Sequence, residues 1–383
     1  MNIDQDIKQL QENIISHRRW LHRYPQVGYQ EEKARDYILD FFNTINFDEV
    51  KVMAKTGIKA VIYGKNPDKT LAFRADMDAL EVIEDTGLEF ASQYHGYMHA
   101  CGHDGYMAIL LGFAQWLSEN KAELPCNAVL LFQPAEEGIG GALPMIQEGA
   151  LDNPKVDAIF GYHIMPEIPQ GRVGIKDGPF MASTSRITID LYGIGAHGAM
   201  PHKGVDTVLA AAHFITQAQS VLTRRVDPLQ PGVITFGKLT AGDVANVIAS
   251  HAQIKGTIRA FDEGVSVEIE KHLINLLKGM ETSHGIRWEF RKDEYYPAVV
   301  NHPELTNRLR SVIPEQMQFE AGLMMIAEDF AFYQQRVPGV FLYLGSRNEE
   351  KGYTYPLHSN KFQFDEAILL TGVQLYKDIL FHI

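Results

Sequence analysis

The sequence predicts an α/β protein with a mostly parallel sheet flanked by helices and an inserted ferredoxin-like α+β domain. Near both ends of the chain, short apolar runs such as TLAFRAD and AVLLFQP alternate with helical segments. Such alternation is typical of a parallel sheet covered by helices. In the middle the predicted order is β-α-β-β-α-β, the ferredoxin-like pattern. We therefore predict a discontinuous domain over 1–182 and 293–383, with an inserted domain over 183–292.

The individual elements follow from the spacing of apolar residues. One opening helix is predicted over QDIKQLQENIISHRRWLHR, ending before Pro25, and a second from Glu31 to about Ile45. Buried strands are predicted at AVIYG, TLAFRAD, AVLLFQP and DAIFGYH, with helices at MAILLGFAQWLSEN and GGALPMIQEGA. The inserted domain contributes the strands RITIDLYG, GVITFGKL, AQIKGTIRAF and IRWEFRKD and two long helices. The last part contributes the helices HPELTNRLRSV, AEDFAFYQQRV and DEAILLTGVQLYKDILF and the strand GVFLYLG.

Composition narrows the class of protein. The 383 residues are 45% hydrophobic and 22% charged, which is ordinary for a globular protein. A formal net charge of -13 argues against nonspecific binding to nucleic acid, which requires clustered Lys and Arg. The first residues lack the features of a secretory signal, MAILLGFAQWL is too short to span a bilayer, and two cysteines do not make a disulfide framework. We expect a cytoplasmic protein without nucleic-acid or membrane partners.

The motif HACGHDG precedes the most apolar predicted helix and contains two candidate metal ligands, Cys101 and His103. Because one residue separates them, both side chains can turn toward one site at the carboxyl edge of a sheet, where open α/β sheets bind ligands. A buried structural cysteine beside polar residues that cap the helix also explains this motif.

The motif QPAEEG places Glu136 and Glu137 directly after a buried strand. Carboxylates are costly to bury unless they bind something. Successive side chains of an extended segment point in opposite directions, so one glutamate can bind metal while the other faces a substrate. A solvated pair of loop charges is the alternative explanation.

Two histidines also follow predicted strands or loops. His163 comes just after DAIFGY, and His358 lies in PLHSNKF before the last helix. A single histidine in such a place is more often a structural or surface residue than a ligand. Together with the two preceding motifs, however, these histidines make a shared metal site credible.

Eight motifs together resemble one known family over nearly the whole chain. They are HRRWLHRYPQVGYQE, FRADMDAL, MHACGHDG, FQPAEEG, GAHGAMPH, GTIRAFD, AEDFAFY and LHSNKF. In this order they resemble the aminoacylase and carboxypeptidase family of metallohydrolases. The resemblance is strongest to the branch with hippurate hydrolase, N-acyl-amino-acid amidohydrolases and N-acetyldiaminopimelate deacetylase. It implies a di-metal exopeptidase-like fold in which the inserted domain closes as a lid.

The resemblance implies a particular set of roles. The implied metal ligands are Cys101, His103, Glu137, His163 and His358. They would hold two divalent ions, whose identity among Mn, Zn, Co and Ni stays open because a thiolate suits all of these better than Mg. Glu136 would take a proton from the attacking water and return it to the leaving amine. Asp76 and Asp78, at the end of FRAD and just beyond it, would orient ligands such as His103.

Substrate contacts are expected from the inserted domain. His197 would bind the scissile carbonyl, and Asn246 and Arg259 would bind a substrate carboxylate, Arg259 through its bidentate guanidinium. An exposed charge on a strand is the alternative for Arg259. His202 and Asn360 are weaker candidates for the rim of the site.

The expected activity is hydrolysis of the amide bond of a small N-acyl amino acid. A metallo-carboxypeptidase or dipeptidase is the main alternative, and a non-catalytic protein that binds acylated amino acids is another. The chain departs from its relatives at Glu81, Ala249 and the run Ile326–Phe330, none of which is a predicted ligand. These departures leave the substrate open. Edge strands of the inserted domain, and the resemblance itself, favour a homodimer.

Overall fold

A computed structural model describes residues 2–383 and divides the chain into two compact units. The first unit comprises the chain up to Gly178 together with Val300–Gly322 and Asp329–Ile383. The second unit comprises Pro179–Val299 and Leu323–Glu328. Each unit has its own apolar core.

The helices are α1 (Gln5–Gln9), α2 (Gln11–Arg23), α3 (Glu32–Phe42), α4 (His103–Glu119), α5 (Ala142–Gln147), α6 (Thr207–Arg224), α7 (Glu263–His284), α8 (Pro303–Val312), α9 (Ala331–Gln334) and α10 (Ala367–His382). The strands are β1 (Glu49–Met53), β2 (Gly57–Ile62), β3 (Asn66–Asp76), β4 (Cys126–Gln133), β5 (Ala158–Pro169), β6 (Val173–Ile175), β7 (Gly178–Met181), β8 (Ser183–Tyr192), β9 (Ala196–His197), β10 (Gly232–Ala241), β11 (Val247–Ile248), β12 (His251–Ala260), β13 (Arg287–Tyr296), β14 (Val299–Asn301), β15 (Gln318–Glu320) and β16 (Gly339–Arg347).

An eight-stranded sheet organises the first unit, in the order β1-β2-β4-β3-β5-β16-β6-β15. The central pairs β4/β3, β3/β5 and β5/β16 are parallel, whereas β1 and β2 join antiparallel at one side. The predicted mostly parallel sheet flanked by helices is thus confirmed. Because the central strands run in one direction, their carboxyl ends meet at one edge of the sheet.

Buried aromatic and aliphatic side chains hold this sheet against its helices. The ring of Phe73 on β3 lies 4.9 Å from that of Phe113 on α4, and also 4.9 Å from that of Tyr376 on α10. All three side chains are buried. Parallel strands covered on both faces are expected to be mostly apolar, and the fully buried β4 has polar side chains only near its ends, at Asn127 and Gln133.

The second unit contains the predicted β-α-β-β-α-β order. Its four-stranded antiparallel sheet has the order β10-β12-β8-β13. Helices α6 and α7 pack on this sheet through side chains such as Phe214 and Leu273, which are fully buried. Alternation of buried and solvated positions along β12 matches a sheet with one covered face.

The boundaries between the units differ from the predicted 183–292. Strand β13 pairs with β8 as far as Tyr296, with a register shift just before that residue, so the second unit extends past the predicted end. The segment 323–328 also joins it, because the amide of Ala182 donates to the carbonyls of Met324 and Ile326. Hydrogen bonds between residues so far apart along the chain leave no periodicity in the sequence.

Two predicted helices are shorter than expected. The opening helix is interrupted at Leu10, whose amide bonds to the carbonyl of Ile7, three residues back rather than four. In AEDFAFYQQRV only Ala331–Gln334 is α-helical, because the amides of Phe332 and Arg336 also bond three residues back. None of the helices described over 2–383 combines the length and the apolar character needed to cross a bilayer.

The ring of Phe73 should contribute strongly to the stability of the first unit. We expect Phe73→Ala to lower the free energy of unfolding by about 3–5 kcal/mol, because the surrounding rings cannot fill the cavity. Urea denaturation measures this change. Ile83→Ala is the matched control, since Ile83 is exposed and its truncation should cost about 0.5 kcal/mol or less. Equal losses in the two variants would contradict this description of the core.

Candidate metal centre

The sequence-predicted ligands lie at the carboxyl edge of the first unit's sheet. Glu136 and Glu137 follow the end of β4, and His163 lies within β5. Leu71 of β3 pairs with Ala158 of β5, so extending the register places the end of β3 level with His163. Cys101 and His103 come from the segment that starts α4. The order of strands thus brings together residues that are distant in sequence.

The donor atoms of the five predicted ligands are close to one another. Cys101 Sγ lies 3.3 Å from His163 Nε2, and Glu137 Oε1 lies 3.1 Å from His358 Nε2. His103 Nε2 lies 4.0 Å from the same Glu137 oxygen.

Three overlapping groups each have all ligand atoms within 4.8 Å of one another. The groups are Cys101 with His103 and His163, Cys101 with Glu137 and His358, and His103 with Glu136 and Glu137.

In the two buried histidines of the cluster, His103 and His163, one ring nitrogen is hydrogen-bonded to a backbone carbonyl. His103 Nδ1 donates to the carbonyl of Asp78 at 2.8 Å, and His163 Nδ1 donates to that of Ile164 at 2.7 Å. The Nε2 atom of each ring is thereby left to face the cluster, as in histidines that bind metals. His103 Nε2 is buried without a hydrogen-bond partner, which a metal ion would supply.

The charges of the cluster also fit a cation. Burial, together with the carboxylates of Glu137 and Glu136, raises the pKa of the Cys101 thiol well above its usual range. Burial alone would raise the pKa of Glu137, but His358 and His103 lower it to about 2. The site therefore holds anionic oxygens beside a thiol that would ionise only next to a cation. The donor set of N, S and carboxylate O fits a divalent transition metal.

Asp78 connects three parts of the site. Its carboxylate accepts the amides of Glu136 and Glu137, both at 3.0 Å, while its carbonyl accepts His103 Nδ1. The predicted orienting role of Asp78 thus has a geometric basis. Asp76 forms a buried ion pair with Arg74 at the end of β3, and, against the effect of burial, its charge also raises the pKa of His103.

His358 belongs to the loop before α10. Its backbone is in the left-handed region, with φ of 63°, and its amide donates to the carbonyl of Ala100 at 2.9 Å. This bond joins the loop to the segment that carries Cys101. The side chain of His358 is 53% exposed, unlike those of His103 and His163, so it forms the open side of the cluster.

A buried polar network that joins α2 to the start of α4 was not predicted from the sequence. Arg18 Nε and His22 Nδ1 both contact Asp104 Oδ2, at 3.1 and 2.9 Å, and His22 Nε2 contacts Glu84 at 3.1 Å. Asp104 directly follows His103, so the network holds the first turn of α4. The available signal was the spacing of Arg18 and His22, four residues apart on one helical face.

The expected substrate contacts lie in the second unit. The exposed His197 on β9 pairs with Val247 of β11, next to the exposed Asn246. Arg259 on β12 is half-buried and donates from Nη1 to the carbonyl of Met325 at 2.9 Å. Of the two rim candidates, His202 is exposed in the second unit and Asn360 is exposed two residues after His358.

Nitrogen, sulfur and carboxylate donors grouped at the carboxyl edge of an α/β sheet are typical of metal-dependent hydrolases. Peptidase family M20/M25/M40 matches residues 72–382. N-acetyldiaminopimelate deacetylase from Priestia megaterium is 37% identical over 366 residues, which are 94% of this chain and 96% of that protein.

Two solved structures have the same fold. A crystallised protein from methicillin-resistant Staphylococcus aureus is 35% identical, with a TM-score of 0.93 and coverage of 99% of this chain and 98% of that one. The YXEP protein of Bacillus subtilis, described as a dinuclear metal-binding peptidase, is 31% identical, with a TM-score of 0.86 and coverage of 97% and 98%.

The chain belongs to peptidase family M20/M25/M40. It is a hydrolase that cleaves amide bonds, so the predicted family resemblance and the amidohydrolase activity are both confirmed.

The network on α2 should make stability depend on pH. Burial alone would lower the pKa of His22, but Asp104 and Glu84 raise it to about 9, from 6.5. Because its pKa is higher in the folded protein, protonated His22 stabilises the fold fully below pH 6.5. This contribution is lost as pH rises through about 9. In urea denaturation, the stability difference between the parent and His22→Gln should therefore shrink by about 3 kcal/mol over that range. His95→Gln, at an exposed position, should show no such change, and a constant difference for His22→Gln would contradict the assignment.

Proposed function

We propose that the protein hydrolyses the amide bond of N-acyl amino acids with two divalent metal ions. One observation carries this proposal: five N, S and O donors from four separate segments lie in overlapping groups whose ligand atoms are within 4.8 Å of one another. Among them, the Nε2 atom of His103 is buried without a hydrogen-bond partner. Cys101, His103, Glu137, His163 and His358 would hold the ions. The dinuclear site described for the YXEP protein supports this number, while Mn, Zn, Co and Ni all suit the donors.

Glu136 would move the proton in the reaction. Its side chain is 8% exposed and has a carboxylate oxygen within 4.8 Å of donor atoms of His103 and Glu137. Metal ions bound there would polarise the amide carbonyl and lower the pKa of the attacking water. Glu136 would accept the proton from that water and then donate it to the leaving amine nitrogen. The bond from its amide to Asp78 holds the backbone from which this carboxylate extends.

The substrate class rests on polar groups of the second unit and on one relative. Arg259 and Asn246 would bind the carboxylate of the amino acid, and His197 would donate to the carbonyl oxygen. This requires the second unit to act as a lid over the first. The deacetylase from Priestia megaterium, which is named for an N-acetylated diamino acid, favours a short acyl group.

A dipeptidase or carboxypeptidase is the second candidate, because the YXEP protein is described as a peptidase. A screen of N-acetyl and N-benzoyl amino acids against dipeptides, with Mn, Zn, Co and Ni added in turn, separates the two. Faster hydrolysis of dipeptides would favour the second candidate. Binding of acylated amino acids without turnover by any metal-loaded form would instead make this a binding protein. The homodimer and the cytoplasmic location stay predictions.

Replacing Glu136 by Gln should remove the base while keeping the metal. We expect kcat to fall at least about 100-fold, the lower end for loss of a general acid–base group. Metal analysis should still find the parent's content, because the five proposed ligands are all unchanged. Activity within a few-fold of the parent would assign the proton transfer to another residue.

Replacing Cys101 by Ala should weaken metal binding. We expect a loss in affinity greater than the roughly 10–100-fold that removal of an outer-shell partner costs, measured by titration of metal-free protein. Cys126→Ala is the matched control, because Cys126 is also a buried free cysteine but lies at the start of β4, the opposite end from the site. Equal affinities for the two variants would remove Cys101 from the ligand set.

A further inference from the structure

A strained turn joins β4 to the two glutamates of the site. Ala135, the residue before Glu136, has φ of 58°, in the left-handed region that favours glycine. The amides of the next two residues, Glu136 and Glu137, both donate to the carboxylate of Asp78. A different φ at Ala135 would rotate both glutamates together.

Three glycines leave room for this turn. A Cβ on Gly28 would lie 2.8 Å from Ala135 Cβ, one on Gly57 would lie 2.7 Å from Pro134 Cδ, and one on Gly141 would lie 1.8 Å from the Pro134 carbonyl oxygen. The backbone around the turn is therefore packed without space for side chains. Such packing confines the turn, but a hydrogen bond is what sets the direction of its amide.

Glu31 supplies that hydrogen bond. Its side chain is completely buried, and Oε1 accepts the amide of Ala135 at 2.9 Å. Oε2 accepts the hydroxyl of Thr56, itself fully buried, at 2.6 Å, which fixes the plane of the carboxylate. Three successive amides, those of Ala135, Glu136 and Glu137, are thus held by two buried carboxylates, Glu31 and Asp78.

A carboxylate buried this deeply has to be compensated by its hydrogen bonds. Burial raises the pKa of Glu31 to about 7, despite the bonds from Thr56 and Ala135 that act in the opposite direction. A fold that only needed to fill this space would be served better by an apolar side chain. The placement of Glu31 on Ala135 therefore points to a role in the geometry of the site.

We propose that Glu31 is a positioning residue for amide hydrolysis, which acts through the Ala135 amide to aim the carboxylates of Glu136 and Glu137. This inference rests on the proposed function, in which Glu136 carries the proton and Glu137 binds metal. Thr56 supports Glu31 by orienting its carboxylate. None of these groups would touch the substrate.

Kinetics of Glu31→Ala and Glu31→Gln test the proposal. For Glu31→Ala we expect kcat to fall by roughly 10- to 100-fold, the effect of misplacing a catalytic group by about 1 Å, while KM changes by less. Glu31→Gln keeps a carbonyl oxygen for the Ala135 amide and should recover kcat to within a few-fold of the parent. Both are compared at equal folded fraction and with the metal content measured.

Asp157→Ala is the control. Asp157 Oδ2 also accepts a backbone amide, that of Thr70 on β3, at 2.8 Å, but at the end of the sheet away from the site. We expect its kcat to stay within about twofold of the parent. An equal loss of kcat in Asp157→Ala and Glu31→Ala would show a general structural effect and overturn the proposal.

Hydrogen exchange of the metal-free protein provides a readout independent of activity. Glu31→Ala should speed exchange of the amides over 135–138 and leave that of β4 unchanged, whereas global destabilisation would speed both equally and overturn the proposal. Glu136→Gln, assayed in parallel, separates the two ideas. If Glu136→Gln is inactive and Glu31→Ala keeps the parent's kcat, the positioning role alone fails. If Glu136→Gln is active, the proton-transfer role that the proposed function gives to Glu136 fails.

Discussion

The hydrogen bonds of Asp78 are the constraint on which the geometry of the site depends. Its carboxylate holds the amides of Glu136 and Glu137, and its carbonyl holds the ring of His103. Asp78, two residues after the end of β3, thereby connects the segment that follows β4 with the start of α4. Because the side chains that would bind metal repel or desolvate one another without an ion, their positions have to be fixed by backbone contacts of this kind.

Two further groups of buried polar residues hold the segments that carry the predicted ligands. On one side, Glu31 holds the turn at Ala135 that leads into the glutamates. On the other, Arg18 and His22 hold Asp104, the residue after His103. Each support uses a buried carboxylate with polar partners, which restricts the movement of the segments that it joins. His358 forms the solvent-exposed side of the donor cluster.

Periodicity and element order were sufficient to predict much of the fold. Alternating apolar strands and helices indicated the parallel sheet, and the β-α-β-β-α-β order indicated the second unit. The same reasoning placed the end of the second unit too early and missed the return of 323–328. It also extended the helix at Ala331–Gln334. These errors share a cause, since helix ends and unit boundaries are decided by hydrogen bonds between distant residues rather than by local spacing.

The sequence by itself determined which side chains could bind a metal and in which short motifs they occur. That much is local chemistry: Cys101 and His103 share one motif, and Glu136 and Glu137 share another. Only the tertiary structure decided that these motifs meet, because the order of strands in the sheet places β4 and β5 on either side of β3. It alone also paired Arg18 with Asp104, 86 residues away, and Glu31 with Ala135, 104 residues away. Contacts between residues so far apart form only when the whole first unit folds, and no short stretch of sequence encodes them.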